Sequence, residues 1–368
     1  MQGLSQLNYT ETQVKKALHS NRAIKWEYDL LDKYNKKIGS LSDITSSYGF
    51  NAETEIKGTA RFNLNEKETK DIDFFSERIK PKFCLRIGAD WLKWEQGIYL
   101  LNSPSRTEEK ASIYRDIEAY DGGVILREDR VDNRYLISKG TLYTVAVRSL
   151  ILSTGIKDIS IQESDLELSV DKEYAIGTSK LEIINDLLNS INYNSVWFNY
   201  HGTCMVTKYI PGKDRNYEYI YETNEDSIIY PGASEILDTF NIPNKFVRYV
   251  ENPESNYLIS TLVNDQASNK LSVVSRGRTI TDIQSVTDIA DQSTLNDYVR
   301  KVAEQKSLVY GGFQFETLPV PHHTYLDCLL LKSKTLEVTE KVIETAWSIE
   351  AYGNGSMSHT VKKVIELW

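Results

Sequence analysis

No apolar run in this sequence approaches the roughly 18 residues that a membrane-spanning helix needs, so no membrane anchor is expected. The first residues, Met1-Gln2-Gly3-Leu4-Ser5, lack a basic segment followed by an apolar stretch, so no signal peptide is expected either. Cysteine is scarce. Cys84, Cys204 and Cys328 stand far apart, a spacing that fits reduced, buried thiols and argues against a disulfide framework. Excess positive charge is missing too: 43 Lys and Arg face 52 Asp and Glu, a formal net charge of −9. That balance argues against specific nucleic-acid binding by phosphate neutralisation. Passing contact with DNA stays open, because an acidic channel repels phosphate and prevents sticking. Catalytic signatures are absent as well. There is no Gly-x-Ser-x-Gly elbow and no Walker-type loop, Arg276-Gly277-Arg278 being too short to cradle a phosphate.

What is present belongs to a globular chain. Hydrophobic residues make up 40% and charged residues 26% of 368, enough for two or three domains with real cores. Tyrosine, with 23 copies against 10 Phe, outweighs the other aromatics. Its apolar body and polar tip suit half-buried strand faces and interfaces.

Four segments follow from the pattern. Residues 1–23 carry a short helical stripe, Val14, Ala17 and Leu18. They are either an arm docked on a partner or on the chain's own strands, or a frayed terminus. Residues 24–123 alternate with a period of two, as in Ile24, Trp26, Tyr28 and Leu30 or Ala60, Phe62 and Leu64. That is the mark of antiparallel strands with one polar face. Gly122-Gly123 closes the block. Residues 124–235 turn helical, with a stripe of Tyr143, Ala146, Val147, Leu150 and Ile151 ending at Gly155. A second helix begins at the capping pattern Ser179-Lys180-Leu181-Glu182, and a hairpin follows around His201-Gly202. Residues 236–368 return to strands, Tyr257 to Val263 and Ile343 to Ala351, interrupted by a helix with Ser293 as N-cap. The fold class expected is α+β and β-rich. Ile117-Glu118-Ala119-Tyr120 and Ile349-Glu350-Ala351-Tyr352, each before a Gly-rich turn, hint at a duplicated domain.

Several stretches resemble the hub proteins of phage tail baseplates and of phage-tail-like bacteriocins. They are Thr59-Ala60-Arg61-Phe62-Asn63-Leu64, Glu95 to Pro104, Ile117 to Asp121, Ile176 to Asn185 and Pro319-Val320-Pro321-His322-His323. The resemblance runs from about residue 24 to the end. It implies two tail-tube-like antiparallel β-barrel domains, 24–123 and 236–368, with 124–235 as a smaller decorating α+β domain. It implies a homotrimer whose six tube-like domains adapt a six-fold tail tube to a three-fold spike or tip. The partners implied are a tail tube or distal tail protein, a spike or tip protein, other baseplate proteins and a tape-measure protein. The location implied is the virion tail, assembled in the host cytoplasm.

The search for chemistry ends without a catalytic, cofactor-binding or metal site. His322-His323 with Asp327 and Cys328 invites a metal reading, but adjacent histidines on an extended segment point to opposite faces. The expected role is local, one imidazole bonding a backbone group beside Pro321. Cys204 and His201 sit at a turn, which disfavours a nucleophilic dyad. The carboxylate pairs Glu108-Glu109, Asp71 with Asp73, and Glu163 with Asp165 read as solvated faces. Trp91, Trp94 and Tyr99 are either intersubunit contacts or core, while Trp26, Trp197 and Trp347 read as core. Arg276-Gly277-Arg278 reads as a solvated hairpin tip or a contact for an acidic rim. Two other functions compete with a structural hub: a tail-associated cell-wall hydrolase, for which no C-terminal extension is expected, and a carbohydrate-binding module with exposed aromatics.

Overall fold

The computed structural model describes all residues except 70–71, 110–111, 238–239, 241, 251–256, 287–288, 290, 308–310 and 366–368. The chain is α+β and β-rich, 43% strand and 18% helix. Helix α1 (Glu11–Leu18) leads into β1 (Ile24–Leu31), β2 (Lys37–Leu41), β3 (Ile44–Asn51), β4 (Gly58–Asn65), α2 (Glu66–Thr69), β5 (Arg78–Ile87), β6 (Asp90–Glu95), β7 (Tyr99–Glu109) and β8 (Ser112–Tyr120). A helical segment follows: α3 (Gly123–Glu128), β9 (Tyr135–Ile137), α4 (Tyr143–Ser153), β10 (Ile159–Ile161), β11 (Lys172–Tyr174), α5 (Lys180–Ser190), β12 (Trp197–Phe198) and β13 (Cys204–Val206). Next come β14 (Tyr219–Glu222), β15 (Ser234–Leu237), β16 (Lys245–Val250), β17 (Leu258–Val263), α6 (Val273–Arg276), β18 (Thr281–Val286) and α7 (Gln292–Ser307). Strands β19 (Gly311–Thr317), β20 (Cys328–Ser333), β21 (Val338–Ala351) and β22 (Met357–Lys363) complete the described chain.

Fourteen strands form one sheet, whose main path is β15-β19-β22-β21-β3-β4-β8-β7-β5-β1-β2. The path contains the same four-strand ladder twice. In each ladder the first strand pairs with the second, the second with the fourth, and the fourth with the third, all antiparallel. The ladders are β3-β4-β8-β7 and β15-β19-β22-β21. The third strand of each also begins against a preceding strand, β7 on β5 and β21 on β20. Inward positions follow the period-two reading: Ala60, Phe62 and Leu64 on β4 are buried, Thr59 and Arg61 exposed. The two Ile-Glu-Ala-Tyr stretches do not occupy equivalent places. One lies in β8, a fourth strand, and the other ends β21, a third strand. The repeat is therefore one of pairing order, not of that tetrapeptide.

The ladders meet where β3 pairs with the end of β21, from Asn51 opposite Ala346 to Ser46 opposite Ala351. One hydrophobic core runs beneath both, with Phe62, Phe83, Trp94 and Tyr99 from one side and Tyr221, Phe313, Leu329 and Trp347 from the other. Trp94 and Tyr99 are thus core residues rather than subunit contacts. The N-terminal segment docks on its own strands. Thr10 and Gln13 form the capping box of α1, and Leu4, Val14 and Leu18 enter the common core.

Two smaller units flank the sheet. Helices α3 to α5 and strands β9 to β13 share a separate core, to which Leu150, Leu187 and Val206 belong. Asp121 holds its first turn to β4: its carboxylate accepts the Gly58 and Gly123 amides at 2.6 and 2.8 Å, and burial raises it to about 6. The other unit is a three-stranded sheet, β17-β16-β18, covered by α7 through Phe246, Val299 and Ala303.

Boundaries and caps differ from the sequence reading in four places. Strands β14 and β15 lie within 124–235 or at its edge, yet they pair with β20 and β19 of the main sheet. The strand around Tyr257–Val263 belongs to the small sheet, an insertion between β15 and β19. Short strands whose partners lie far off in sequence carry no local sign of where they pair. Helix α7 begins at Gln292, and its cap is Asp291, whose carboxylate takes the Thr294 amide at 2.7 Å, rather than Ser293. Arg276-Gly277-Arg278 ends α6 instead of tipping a hairpin: Gly277 has φ +62°, and the Arg276 guanidinium donates to the Ile242 carbonyl at 2.8 Å.

The joint between the ladders leaves no room for a side chain at Gly49. A Cβ there would lie 2.4 Å from the Trp347 carbonyl oxygen and 2.9 Å from the Ser348 Cα, both backbone atoms. Gly49→Ala is therefore expected to destabilise the protein by about 1–3 kcal/mol, the usual cost of overpacking. Ser47→Ala, in the same strand and half-buried, is expected to stay within about 0.5 kcal/mol. Urea midpoints of the two variants and the parent check this.

Candidate functional site

Two places carry the arrangement that matters: the ladder ends, and a polar cluster inside the second ladder. At the ends, β15 pairs only with β19 among the described residues, and all four of its residues are exposed, including Ile236 and Leu237. Beyond Leu100, β7 has only β8 as a strand partner among the described residues. Its outer stretch, Ser105 to Glu108, is exposed. The first strand of one ladder and the third strand of the other thus present free edges. These are the positions that β3 and β21 fill against one another at the internal joint. Beneath that joint an aromatic group ties the parts together. Phe50 stacks on Trp347 and meets Tyr325 edge-on, and Tyr325 stacks on Trp197 of β12 with centroids 5.1 Å apart.

A cavity of about 710 Å³ opens where the main sheet, the helical unit and α7 converge, lined in part by Asn189, Tyr209, Lys301, Glu304, Tyr325 and Lys362. Lys301 spans it: its ammonium donates to the Tyr193 carbonyl at 2.7 Å and to Asn189 Oδ1 at 3.2 Å, and burial lowers it to about 8. Its contacts tether α7 to the end of α5.

The polar cluster is built by β21, β22 and the turn before β20. Glu344 is fully buried, and its two carboxylate oxygens face His323 Nδ1 at 2.5 Å and His359 Nδ1 at 2.6 Å. The far nitrogens are also held. His323 Nε2 lies 2.7 Å from the Tyr221 hydroxyl, and His359 Nε2 lies 2.9 Å from Thr317 Oγ1. Asp327 accepts the Thr324 amide and hydroxyl and stands 3.4 Å from His323 Nδ1. Burial opposes charge on His323, but Glu344 and Asp327 outweigh it and raise the imidazole to about 9. Burial pushes His359 and His322 down.

The expectation that His322 and His323 face opposite ways does not hold. Both rings are inside, 4.9 Å apart, because residues 318–325 are irregular, with bends at Leu318 and Pro321, instead of a strand. Neither ring bonds a backbone group: among the described residues His322 has no hydrogen-bond partner at either nitrogen. The sequence reading missed Glu344 and His359. The signal was there for His359, an inward position of β22 between buried Met357 and Val361. His201 turns to Glu95, 2.5 Å away, and burial pushes the Cys204 thiol far up, so these two do not form an activated dyad. Glu163 pairs with Arg148 on the surface, and Glu108, Asp165 and Asp73 are exposed. Asp71 lies outside the described residues, as does the side chain of Glu109. Trp91 is half-buried beneath Lys25, whose ammonium sits 4.6 Å from the ring centroid.

No family model matches the sequence, and no curated protein matches it either. Solved structures do. The tail protein from Neisseria meningitidis aligns over 92% of this chain and 97% of its own, with a TM-score of 0.66 and 11% identity. The 43 kDa tail protein of prophage MuSo2 from Shewanella oneidensis aligns over 91% and 98%, with a TM-score of 0.62 and 10% identity. A prophage tail protein from Listeria monocytogenes aligns over 91% and 94%, with a TM-score of 0.58 and 12% identity. The chain has the fold of phage tail proteins over almost its full length.

His322 packs its ring against Tyr219, 4.5 Å between centroids, and leaves both nitrogens unpaired. Held neutral well below its ordinary value of 6.5, it binds no proton in the fold where the unfolded chain would bind one. Its share of stability is intact above pH 6.5 and is lost as the pH falls below it, by up to about 1.4 kcal/mol per unit. His322→Phe keeps the ring and removes the nitrogens. It is expected to raise the melting temperature, and by more at pH 5 than at pH 7.5. Paired thermal melts at the two pH values check this.

Proposed function

We propose that the protein is the structural hub of a phage or phage-like tail, a homotrimer without catalytic function that joins the tail tube to a spike or tip. The observation that carries this reading is the doubled ladder. One chain places two ladders of identical pairing order side by side and joins the third strand of one to the first strand of the other. Repeating the same joint between chains puts β7 of one subunit against β15 of the next. Three chains then supply six ladders around one axis. Such a ring is quasi-six-fold towards a tube and three-fold towards a tip. Head-to-tail contacts of this type either close into a ring or run on as a filament. Closure also hides two strand edges that would otherwise invite aggregation.

On this reading the ladders, each with its companion strands, are the two tube-like domains, and the helical unit and the small sheet with α7 are decorations. The partners are a tail tube or distal tail protein above, a spike or tip protein below, and other baseplate proteins around. The location is the virion tail, reached by assembly in the host cytoplasm.

Purified protein is expected to run as a trimer by size-exclusion chromatography with light scattering, and as a three-fold ring in negative-stain micrographs. Ile236→Lys with Leu237→Lys puts two charges on the β15 edge and is expected to yield folded monomer. A parent protein that stays monomeric at high concentration and joins neither tube nor spike subunits would overturn the proposal.

A further inference from the structure

We propose that His323, His359 and Glu344 form a structural site for one divalent metal ion of the zinc class inside the second ladder. One ligand atom each from His323, Glu344 and His359 lies within 4.8 Å of the others, and Asp327 borders His323 at 3.4 Å. Two imidazoles and one carboxylate are a ligand set that zinc accepts, with a water in the fourth position.

The geometry around Glu344 supplies the reason. Its two oxygens lie 2.5 Å from His323 Nδ1 and 2.6 Å from His359 Nδ1, so three groups of the kind that bind zinc converge on one buried point. An ion there takes the place of the protons between these atoms, with a rotation of the Glu344 carboxylate and a small outward shift of both rings to reach bonding distance. Asp327, which the Met1 ammonium approaches to 3.0 Å, borders the site and is not one of its ligands.

The outer contacts fit a metal site. Tyr221 and Thr317 hold the far nitrogens of both rings, fixing tautomer and orientation as the outer partners of ligating histidines do. The three side chains come from β21, β22 and the turn before β20, so one ion would pin three neighbouring segments. All three residues are at most 3% exposed, so the ion would enter as the chain folds.

The test uses the whole chain. Protein produced with added zinc, then passed through EDTA and gel filtration, is expected to hold about one zinc per chain by elemental analysis. Protein refolded in chelator is expected to melt several degrees lower, and refolding with Co²⁺ to give the visible bands of a four-coordinate ion. Glu344→Gln is expected to lose the ion, while His322→Phe next door keeps it. Less than about a tenth of an equivalent of any metal, with coincident melts in zinc and in chelator, would mean a hydrogen-bonded cluster alone and overturn the proposal. That measurement is made on the parent protein, so it decides even if Glu344→Gln fails to fold. It is also independent of oligomeric state, so the hub reading stands or falls separately.

Discussion

The architecture depends on one backbone contact, the pairing of β3 with the end of β21. Strand pairing fixes neighbouring backbones about 4.8 Å apart, and at Gly49 the approach leaves no space for even a methyl group. Other features serve this joint. The aromatic group of Phe50, Trp347, Tyr325 and Trp197 fills the volume beneath it and anchors the helical unit there. The N-terminal segment links the two halves as well. The Gln2 amide reaches the Pro321 carbonyl of one half and the Glu95 carbonyl of the other, while the Trp94 indole donates to the Gly3 carbonyl at 3.0 Å. A seam of backbone hydrogen bonds is thus braced by side chains of its own strands, Phe50 and Trp347, and by Tyr325 and Trp197 from outside the ladders. The core crosses it without interruption, so the two ladders form one mechanical body.

The ladders share an order but not an interior. Beneath β3-β4-β8-β7 the large groups are aromatic: Phe62 meets Tyr28 and Tyr99 edge-on. Beneath the second ladder the centre is ionisable, with two imidazoles on one buried carboxylate. Buried charge is costly unless every lone pair and proton finds a partner. Such a centre therefore tolerates one register only, since a one-residue slip of β22 would carry His359 to the other face. The second ladder is interrupted by an insertion of more than sixty residues between its first two strands, β15 and β19. A directional centre suits the ladder whose chain connectivity gives the least help with register.

Much of this was legible in the residues. Alternation at Ala60, Phe62 and Leu64 gave the strand and its inner face, and the stripe from Tyr143 to Ile151 gave α4. Ser179 does accept the Glu182 amide, at 3.1 Å. What local pattern could not give was partnership. Tyr219–Glu222 and Ser234–Leu237 look like loop-flanked fragments of the helical block, yet their partners lie far along the sequence, Tyr219 opposite Leu329 and Ser234 opposite Gln314. The polar cluster was half visible for a similar reason. His322 and His323 are conspicuous as a pair, but reading them as extended backbone put them on opposite faces. Glu344 was hidden because it stands among Val342, Ile343 and Trp347, where periodicity counts it only as an interruption. The tetrapeptide shared by β8 and β21 pointed to duplication through strands that are not equivalents. The doubling lies in the pairing order, a property of long-range hydrogen bonds that no short match reports.

That doubling constrains assembly more tightly than composition does. A chain with one ladder could use any of its edges. A chain that has already joined a third strand to a first strand has selected a geometry, with its own twist and offset between ladders, and has left one copy of each half unused. The unused halves are β7 beyond Leu100 and all of β15. The exposed apolar side chains of Ile236 and Leu237 make β15 a liability in isolation. The insertion that follows β15 and the hairpin that ends β7 leave those edges without a strand of the same chain among the described residues. On the proposed hub reading, a second copy would offer the missing half with the twist already matched, the internal joint being the pattern for the external one. Each added copy would restore the same vacancy at the far end until the first and last met. The number of copies at closure would then be fixed by the rotation at the β3–β21 joint, a quantity the chain sets within itself before any neighbour arrives.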